Sequence, residues 1–303
     1  MKAVVLHKYG GPSELKWEDF EDPTAGPGEV LVRLAATSIN PVDYKMRSGA
    51  AKERFPVEFP GILGRDVSGT VQAVGEGVTE FSVGDRVFAL AKRTYAELVV
   101  VKASELARVP DDLSLVDAGA LPLILLTGEQ LISRGVGVEK GWTILVAGAL
   151  GSVGRTAVFT AKQAGATVIA GVKKSQIEEA EALGADEVLA LDDKEAFGKL
   201  GFLDGVADAV GGETAQRLLE KVKQGGVFGS VLGPPANAKL HPTVKIQPIM
   251  AKPDVATLER LAEDVAQKRL VIPVDRMLPL KEAAAGQQAA EKGGIGKVLL
   301  LAS

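Results

Sequence analysis

Hydrophobic and polar positions follow two patterns along the chain, and the pattern changes near Pro122. Before Pro122, short apolar runs alternate with polar residues and are separated by Gly, Pro and Asp. The segment 29–36 is typical, because Val30, Val32 and Leu34 lie on one face of an extended chain. Strands are predicted at 1–6, 29–36, 67–74, 87–90 and 95–101. This spacing predicts a compact β-rich domain.

After Pro122, continuous apolar runs alternate with amphipathic segments. The run 142–147 (WTILVA) is typical of a strand that is buried on both faces of a parallel sheet. Strands are predicted at 142–147, 167–171, 187–191, 205–210 and 226–231, and helices at 152–163, 176–183 and 214–223. Alternation of strands and helices predicts a doubly wound α/β domain. Two further helices, 254–268 and 280–292, and a strand at 297–301 are predicted near the end of the chain.

The composition is that of an ordinary globular protein of 303 residues, 46% apolar and 24% charged, which is long enough for two domains. The net charge of −4 and the pI near 5.5 argue against a nucleic-acid partner, which would require a basic face. The absence of cysteine excludes disulfides, thiolate nucleophiles and iron–sulfur clusters, and it favours a reducing compartment. No apolar run reaches the roughly 18 residues of a membrane span, and the N-terminal run is too short for a signal peptide. We therefore expect a cytoplasmic protein without a membrane partner.

A glycine-rich turn joins the predicted strand 142–147 to the predicted helix 152–163. Its glycines suit a dinucleotide-binding turn, because they allow a tight turn, a close approach of the backbone to the pyrophosphate and close helix packing. The helix N-terminus then offers N–H groups and a partial positive charge to the phosphates. Glycine turns also serve packing alone, but the strand before this turn and the small-residue helix after it favour cofactor binding. The predicted cofactor-binding residues of the turn are Gly148, Ala149, Gly151, Ser152, Val153 and Gly154.

Segments spread over the whole chain carry a family resemblance. They are Met1-Lys2-Ala3 with Gly10-Gly11-Pro12, 38–44 (SINPVDY), 64–71 (GRDVSGTV), 81–87 (FSVGDRV), Leu121-Pro122 with Thr127-Gly128, 208–212 (DAVGG) and 296–298 (GKV). Together they resemble the zinc-independent quinone oxidoreductase branch of the medium-chain dehydrogenase/reductase superfamily. The resemblance implies a GroES-like catalytic domain from 1–118 and 256–303 and a Rossmann NADP-binding domain from 119–255. It also implies an active site in the cleft between them and a homodimer formed through the Rossmann domain.

The sequence departs from the zinc alcohol dehydrogenases of the same superfamily. Arg65 stands where the resemblance places a ligand histidine, and no cysteine exists to complete a site. Asp43 and Asp66 remain, but two carboxylates without imidazole or thiolate make a poor zinc site. His7 and His241 lie far apart and are expected to be surface or hydrogen-bonded residues. We therefore expect no metal, and we expect Arg65 and Asp66 to form a structural charge pair.

The absence of a Lewis acid favours an electrophilic substrate. Oxidation of a simple alcohol is then difficult, whereas a quinone or an α,β-unsaturated carbonyl needs only positioning and a hydrogen-bond donor. The resemblance implies that Asn40, Tyr44 and Thr127 are candidate catalytic residues near the substrate or the nicotinamide. The alternatives are a pocket wall for Tyr44, a turn former for Asn40 and an ordinary helix threonine for Thr127.

The ends of later strands supply further candidates. Leu232 and Gly233 end a predicted Rossmann strand, so backbone contact with the cofactor is expected there. Gly211 and Gly212 end another strand, although turn formation alone would explain them. Lys297, which follows Gly296 near the end of the chain, is expected to be solvated, and an approach to the cofactor is the alternative.

The end of the second Rossmann strand predicts which cofactor is used. NAD-specific sites place an acid there, about 20 residues past the glycine turn, whereas NADP sites supply a cation. In this chain Lys173, Lys174 and Ser175 occupy the position, and no acid occurs before Glu178. Lysine would attract the 2′-phosphate and the serine hydroxyl would bind it. NADPH is therefore the predicted cofactor, and two solvated lysines at a helix start are the alternative.

The sequence leaves three functions open. The first is an NADPH-dependent, zinc-free quinone reductase, and the second is an alkenal or enone double-bond reductase. The third is a non-catalytic NADPH-binding protein, because a fold can bind a cofactor without turnover.

Overall fold

The computed structural model describes residues 1–293 and 296–302. The chain falls into two compact units, of which unit 1 is Met1–Leu123 with Lys252–Ser303 and unit 2 is Ile124–Ala251. The sequence predicts divisions at 118/119 and 255/256, and the catalytic and cofactor-binding roles of the two parts stay predictions. Among the described residues, no helix is long and apolar enough to cross a bilayer.

Strands predominate in the first 120 residues of the chain, and strands alternate with helices after them. Up to residue 130 the elements are β1 (Lys2–Leu6), β2 (Leu15–Asp19), β3 (Glu29–Ile39), α1 (Pro41–Ser48), β4 (Gly61–Ile62), β5 (Asp66–Val74), β6 (Arg86–Leu90), β7 (Leu98–Lys102), β8 (Ala107–Arg108), α2 (Leu115–Ala118) and α3 (Pro122–Gln130). The later elements are β9 (Thr143–Ala147), α4 (Ser152–Gln163), β10 (Thr167–Val172), α5 (Ile177–Glu181), β11 (Glu187–Ala190), α6 (Lys194–Lys199), β12 (Leu203–Asp208), α7 (Gly212–Leu219), β13 (Val222–Ser230), β14 (Lys245–Pro248), α8 (Val255–Ala266), β15 (Val274–Pro279), α9 (Ala283–Lys292) and β16 (Lys297–Leu301).

Unit 1 is built around a sheet with the order β15-β16-β3-β5-β6-β8, in which β7 also pairs with β3. Val30, Val32 and Leu34 of β3 lie in its core, as their alternation predicts. The C-terminal strand β16 runs antiparallel to β3, with Val298 opposite Ile39. Both ends of the chain therefore contribute to one sheet. A smaller sheet has the order β2-β1-β4.

Unit 2 is built around a parallel sheet with the order β11-β10-β9-β12-β13-β14. Alternate residues of β9 enter two cores, with Ile144 and Val146 in one and Leu145 and Ala147 in the other. From β9 the chain first adds strands on one side and then returns to add β12 on the other. In such a doubly wound sheet, ligands bind at the carboxyl ends of the strands where the order reverses. The predicted fold class, a β-rich domain with a doubly wound parallel-sheet domain, is confirmed.

The helices show where hydrophobic spacing predicts an element and where it does not. The predicted bounds of α4 are confirmed, because its buried Ala157, Val158 and Ala161 recur at helical spacing. The helix predicted at 214–223 is wrong at its end, since α7 stops at Leu219 and β13 already begins at Val222. The hydrophobic pattern predicts no bounds for helix α3, because its apolar residues cover nearly the whole circumference and show no period.

Candidate functional site

The glycine turn lies at the carboxyl end of β9, where the strand order of unit 2 reverses. Gly148 has a φ of +76°, a left-handed conformation that favours glycine. The N–H groups of Gly148 and Ala149 donate to the Gly171 carbonyl of β10, at 2.9 and 3.2 Å. The Ala149 side chain is buried in the core. These two residues therefore fix the turn against the sheet.

Gly151 and Gly154 serve different purposes at the start of α4. Gly151 precedes the helix with φ −67° and ψ 156°, which any residue adopts, and a Cβ there would meet only the Gly148 carbonyl oxygen, at 3.3 Å. The backbone conformation does not demand glycine at 151, and a Cβ there would require a shift of only a few tenths of an ångström. The missing side chain leaves the helix N-terminus open. A Cβ on Gly154 would lie 2.1 Å from the Gly148 carbonyl oxygen. Glycine at 154 is therefore required for the helix to pack on the turn.

The open N-terminus of α4 suits an anion. The Arg155 N–H donates to the Gly151 carbonyl at 2.8 Å, so the N–H groups of Ser152, Val153 and Gly154 precede the intrahelical bonds. The helix dipole adds a partial positive charge at the same place. These three N–H groups fit the pyrophosphate of a dinucleotide.

Thr127 lies on α3 next to a close contact with this turn. A Cβ on Gly128 would lie 2.6 Å from the Val153 carbonyl oxygen and 2.5 Å from the Cβ of Thr156. Helix α3 therefore packs tightly on the first turn of α4, and Thr127 is half-buried beside that contact. Its role towards the nicotinamide stays a prediction.

A buried hydrogen-bonded pair that is not among the residues predicted from the sequence joins the ends of β12 and β13. Asp208 Oδ1 accepts from the Val210 and Gly211 N–H groups at 3.0 and 2.9 Å, and Oδ2 accepts from the Ser230 hydroxyl at 2.8 Å. The Ser230 oxygen in turn accepts from the Leu232 N–H at 3.0 Å. The pair thus fixes both loops at this edge of the sheet. An acid at the end of a strand, directly before two further residues and a Gly-Gly turn, was the available signal.

The two fixed loops present apolar groups at the carboxyl edge of the sheet, the edge where doubly wound sheets generally bind ligands. Val210 and Leu232 are each 46% exposed, which is unusual for aliphatic side chains at the ends of buried strands. They offer an apolar surface for a flat ring. The predicted residues Leu232 and Gly233 therefore lie at this edge, and their contact with a cofactor stays a prediction.

Lys173, Lys174 and Ser175 follow β10, and all three are exposed. Lys174 Nζ donates to Asp193 Oδ2 at 2.8 Å, and the Lys174 N–H donates to Asp192 Oδ1 at 2.7 Å. The bond from Lys174, helped by the backbone N–H groups that Asp193 caps at the start of α6, lowers the pKa of Asp193 to about 2. Two acids therefore lie beside the predicted phosphate site. The residues that directly follow β10 do not reveal these acids, because the parallel pairing of β10 with β11 brings them in from the loop after β11.

A second constellation lies in unit 1, and we call it the polar cluster. Its members are all buried, and they are Ser38, Asn40, Asp43, Asp66, Tyr95 and Lys297. Lys297 Nζ donates to Asn40 Oδ1 at 2.6 Å and lies 3.8 Å from Asp66 Oδ2. Asp66 accepts from Asn40 Nδ2 at 2.7 Å, from the Ser38 hydroxyl and, at 2.7 Å, from the Leu123 N–H. Both polar atoms of the Asn40 side chain are therefore hydrogen-bonded inside the polar cluster. The role of Asn40 towards a substrate stays a prediction.

Asp43 carries an unusual carboxyl group within the polar cluster. Its Oδ2 accepts from the Asn40 N–H at 2.8 Å and from the Tyr95 hydroxyl at 3.1 Å, whereas Oδ1 is buried without a hydrogen-bond partner. Burial raises the pKa of Asp43 to about 7; the Asn40 N–H opposes the rise and the Asp66 charge adds to it. Burial also lowers the pKa of Lys297, against the attraction of both carboxylates. The Asp43 carboxyl is therefore partly protonated near neutral pH.

Tyr44 follows Asp43 on α1 and is half-buried. Burial, together with the charges of Glu291 and Asp43, raises the pKa of its phenol, so the hydroxyl keeps its proton at neutral pH and can donate it to a hydrogen bond. Helix α1 starts with Pro41, whose fixed φ suits the first helical position. Asn40 and Asp43 therefore set the start of the helix that carries Tyr44.

Two expectations about charged residues are wrong. Lys297, expected to be solvated, is only 6% exposed because the pairing of β16 with β3 places it inside unit 1. Arg65 and Asp66 do not form the expected charge pair: Arg65 Nε donates to the Ala91 carbonyl at 3.1 Å, and the cation near Asp66 is Lys297. His7 is exposed and lies 2.8 Å from Glu18, as a surface residue with a partner. Within residues 1–293 and 296–302, no group of three or more His, Asp or Glu side chains could hold a metal ion.

Two family models match the chain. An alcohol dehydrogenase GroES-like domain matches residues 26–111, and a zinc-binding dehydrogenase domain matches residues 183–300. The first lies in unit 1, and the second extends over parts of both units.

Curated relatives cover most of the chain. A chloroplast envelope quinone oxidoreductase homolog of Arabidopsis thaliana is 37% identical over 62% of this chain and 60% of its own length. The quinone oxidoreductase of Pseudomonas aeruginosa is 33% identical over 79% and 76% of the two chains. A 2-haloacrylate reductase of Burkholderia sp is 32% identical over 74% and 71%. The chain thus spans about 60% of the Arabidopsis relative and a larger share of the two bacterial ones.

Solved structures share the fold over nearly the full length. The mycobacterial protein Rv1454c, solved in complex with NADPH, superposes with a TM-score of 0.85 at 29% identity and covers 99% of this chain and 100% of its own. A protein described as an NAD-dependent alcohol dehydrogenase superposes with a TM-score of 0.87 at 29% identity over 100% of both chains. With the matching domains and relatives, these likenesses show that the chain belongs to the medium-chain dehydrogenase/reductase superfamily and is related to the quinone oxidoreductases.

Proposed function

We propose that this protein is an NADPH-dependent, zinc-free reductase that transfers a hydride to a quinone. The observation that carries the proposal is the open N-terminus of α4 behind Gly151, combined with the cations that follow β10. Together they provide sites for a pyrophosphate and for a 2′-phosphate at neighbouring strands of one sheet. The relatives of the chain include reductases.

The chemistry supplied by bound NADPH is hydride donation to an electrophilic carbon. The N–H groups of Ser152, Val153 and Gly154 hold the pyrophosphate, and Gly148 and Ala149 fix the turn that presents them. Asp208 and Ser230 hold the loops that carry Gly211, Gly212, Leu232 and Gly233 at the edge of the sheet. These residues bind and orient, and the backbone supplies most of the contacts.

The 2′-phosphate is held by Lys174 and Ser175, with Lys173 beside them. Lys174 carries its charge at neutral pH, because the bond to Asp193 raises the pKa of its ammonium group. The same bond occupies Lys174, so the phosphate has to compete with Asp193. NADH is the alternative cofactor, because one protein with the same fold is described as an NAD-dependent alcohol dehydrogenase.

Tyr44 donates a hydrogen bond to the substrate oxygen on which negative charge develops. The raised pKa of its phenol keeps the donor proton in place at neutral pH. Asn40 acts from within the polar cluster at the start of α1, and Thr127 lies next to the glycine turn. Solvent delivers the final proton.

Independence from zinc rests on the available side chains. The chain has no cysteine, and Arg65, which occupies the position of a ligand histidine, donates to a carbonyl oxygen instead. Asp66 is engaged with Lys297, Asn40, Ser38 and a backbone N–H. Stoichiometric zinc in the purified protein, with activity lost to a chelator and restored by zinc, would overturn this part of the proposal.

A second candidate function is the reduction of an activated double bond. It is favoured by the likeness to a protein named 2-haloacrylate reductase, which covers 74% of this chain. A haloacrylate and an alkenal or enone share an electron-poor double bond, and the same binding apparatus would serve them.

The deciding experiment is a steady-state assay of the full chain with NADPH and with NADH against two panels. One panel contains benzoquinones and naphthoquinones, and the other contains alkenals, enones and haloacrylates. We expect the highest kcat/KM with a quinone and NADPH. Higher kcat/KM throughout the second panel would assign double-bond reduction, and tight NADPH binding without any turnover would assign a non-catalytic role.

Location and assembly stay predictions. The sequence predicts a cytoplasmic homodimer, whereas the Arabidopsis relative is named as a chloroplast envelope protein. Analytical ultracentrifugation of the full chain tests the assembly directly.

A further inference from the structure

Lys297 is a lysine in a place where lysines are rarely found. It begins β16, and the antiparallel register that puts Val298 opposite Ile39 brings it next to Asn40, the first residue after β3. Its 6% exposure removes the ammonium group from water. A buried ammonium group requires partners of good geometry, because its hydration has been lost.

The partners show what this ammonium group does. The shortest contact is the 2.6 Å hydrogen bond to Asn40 Oδ1, whereas the carboxylate of Asp66 lies 3.8 Å away, beyond direct hydrogen-bond distance. An ammonium group can only donate and a carboxylate can only accept. Lys297 therefore requires the oxygen of the Asn40 amide, and Asp66 requires its nitrogen, so that the amide has a single orientation.

Asn40 also fixes the first turn of α1 through its backbone. Its own N–H donates to Asp43 Oδ2 at 2.8 Å, and its carbonyl oxygen accepts from the Asp43 N–H at 2.9 Å. Both bonds belong to the first turn of the helix, and Tyr44 is the next residue. The position of the Tyr44 hydroxyl thus depends on how firmly the Asn40 side chain is held.

We propose that Lys297 is a positioning residue whose buried ammonium group holds the Asn40 amide and thereby fixes the start of α1 and the place of Tyr44. The proposal rests on the proposed function as far as Tyr44 acts on a substrate. The hold on α1 itself does not depend on that function.

The first test is hydrogen exchange of the full chain, which needs no activity. Lys297→Met removes the cation and keeps the length of the side chain. The matched control is Val298→Ala, which weakens the neighbouring core position of β16 and leaves the polar cluster complete. In Lys297→Met we expect the amides of α1 to exchange about tenfold faster or more, relative to those of β6 in the same unit, because only local opening has become easier.

The control should accelerate α1 and β6 by similar factors. The same uniform change in Lys297→Met would overturn the proposal, because Lys297 would then only stabilise the unit. If Lys297→Met does not fold, Lys297→Gln replaces it, since glutamine keeps a neutral donor on a shorter side chain. The same selective acceleration of α1 is expected, and its absence counts against the proposal in the same way.

The second test separates positioning from general stability through kinetics. Lys297→Met should lower kcat about tenfold and leave the KM for NADPH within about twofold, because the cofactor is held by unit 2. The double variant with Tyr44→Phe should lose little more than the worse single variant, since both changes disturb one hydrogen bond. Fully multiplicative losses would show that Lys297 does not act through Tyr44. If the unmodified protein reduces no acceptor, the proposed function fails, while hydrogen exchange still decides whether Lys297 holds α1.

Discussion

The glycine turn of unit 2 and the polar cluster of unit 1 are built by opposite means. The turn is one continuous stretch, 148–154, and it offers backbone N–H groups at an open helix N-terminus. The cluster gathers buried side chains from β3, α1, β5 and β16, with Asn40 from the junction of β3 and α1 and Tyr95 from the loop before β7. The turn depends on side chains that are missing, whereas the cluster depends on side chains that must all be present.

This difference determines what a substitution would do in each place. A side chain added at the turn blocks a ligand or displaces the helix that binds it. Removal of one partner from the cluster leaves a buried charge or polar group unpaired, which typically costs about 3–5 kcal/mol for a buried ion pair. Changes at the turn should therefore appear mainly in cofactor binding, and changes in the cluster mainly in stability and in the geometry of α1.

The largest effect is expected at the turn itself. Gly154→Val places a branched side chain where even a Cβ would lie 2.1 Å from the Gly148 carbonyl oxygen. The first turn of α4 must then move, and we expect the affinity for NADPH to fall at least about a thousandfold, or about 4 kcal/mol. Fluorescence titration measures this loss, with circular dichroism to confirm that the protein is folded.

Gly198→Ala is the control for this substitution. Gly198 lies on α6 in the same unit, and a Cβ there would meet nothing within 4 Å. It should bind NADPH as the unmodified protein does. Binding by the folded Gly154→Val variant within tenfold of the unmodified protein would show that the pyrophosphate does not sit at this turn.

The next largest effect is expected in the cluster, as a dependence of stability on pH. Asp43 has a pKa of about 7 in the folded protein and an ordinary value of 3.8. Its stabilising contribution is fully present below the ordinary value and is lost as the pH rises through about 7, because the folded state binds the proton more tightly. Asp43→Asn cannot ionise, so its unfolding free energy relative to the unmodified protein should rise by about 3 kcal/mol between pH 5 and pH 8.

Urea unfolding at the two pH values measures this effect in unit 1. The chain has two tryptophans, Trp17 in unit 1 and Trp142 in unit 2. A Trp142→Phe background therefore makes Trp17 the reporter. Asp112→Asn, at an exposed position of the same unit, is the control and should show no such change. An equal stability difference at both pH values would mean that Asp43 stays ionised when buried.

The two regions also differ in how far they could be predicted from the sequence. The turn could be predicted because its strand, its glycines and its helix follow one another, and the bounds predicted for α4 and β16 are confirmed. The polar cluster could not be predicted, because Asn40 and Lys297 are 257 positions apart and neither neighbourhood indicates the other. Burial of Lys297 follows only from the strand register.

The same limit applies to the phosphate site. The cations after β10 are visible in one stretch of sequence, but Asp192 and Asp193 come beside them through the pairing of β10 with β11. Residues that are close in the sequence can thus be assigned to one site from the sequence alone. Contacts between residues on neighbouring strands can be predicted only when the strand order is known. The predicted cofactor preference therefore has to be tested by substitution of the lysines and of the neighbouring acids.

A smaller effect is expected when the cations are removed. Lys173→Ala with Lys174→Ala should lower kcat/KM for NADPH about tenfold or more, as for other hydrogen bonds to charged groups, and leave the NADH value within about twofold. Lys199→Ala removes an exposed cation from the nearby α6 and serves as the control. Equal use of both cofactors by the unmodified protein would contradict the predicted preference.

The smallest effect is expected from the opposite change, removal of the acid that occupies Lys174. Asp193→Asn keeps an oxygen to cap α6, because asparagine is also a good capping residue, and it removes the charge that faces Lys174. Since Lys174 is then free for the 2′-phosphate and one repulsive charge is gone, NADPH should bind about twofold to fivefold more tightly, the range expected of an exposed ion pair. NADH affinity should stay unchanged.

Glu195→Gln is the control for a general change of surface charge. Glu195 is an acid of the same helix, but it pairs with Lys199 and not with Lys174. The gain should become smaller when Lys174→Ala is already present, because only the direct repulsion between Asp193 and the phosphate then remains to be relieved. Isothermal titration of the four variants with each cofactor measures all of these quantities, and a gain of the same size without Lys174 would place the 2′-phosphate on other residues.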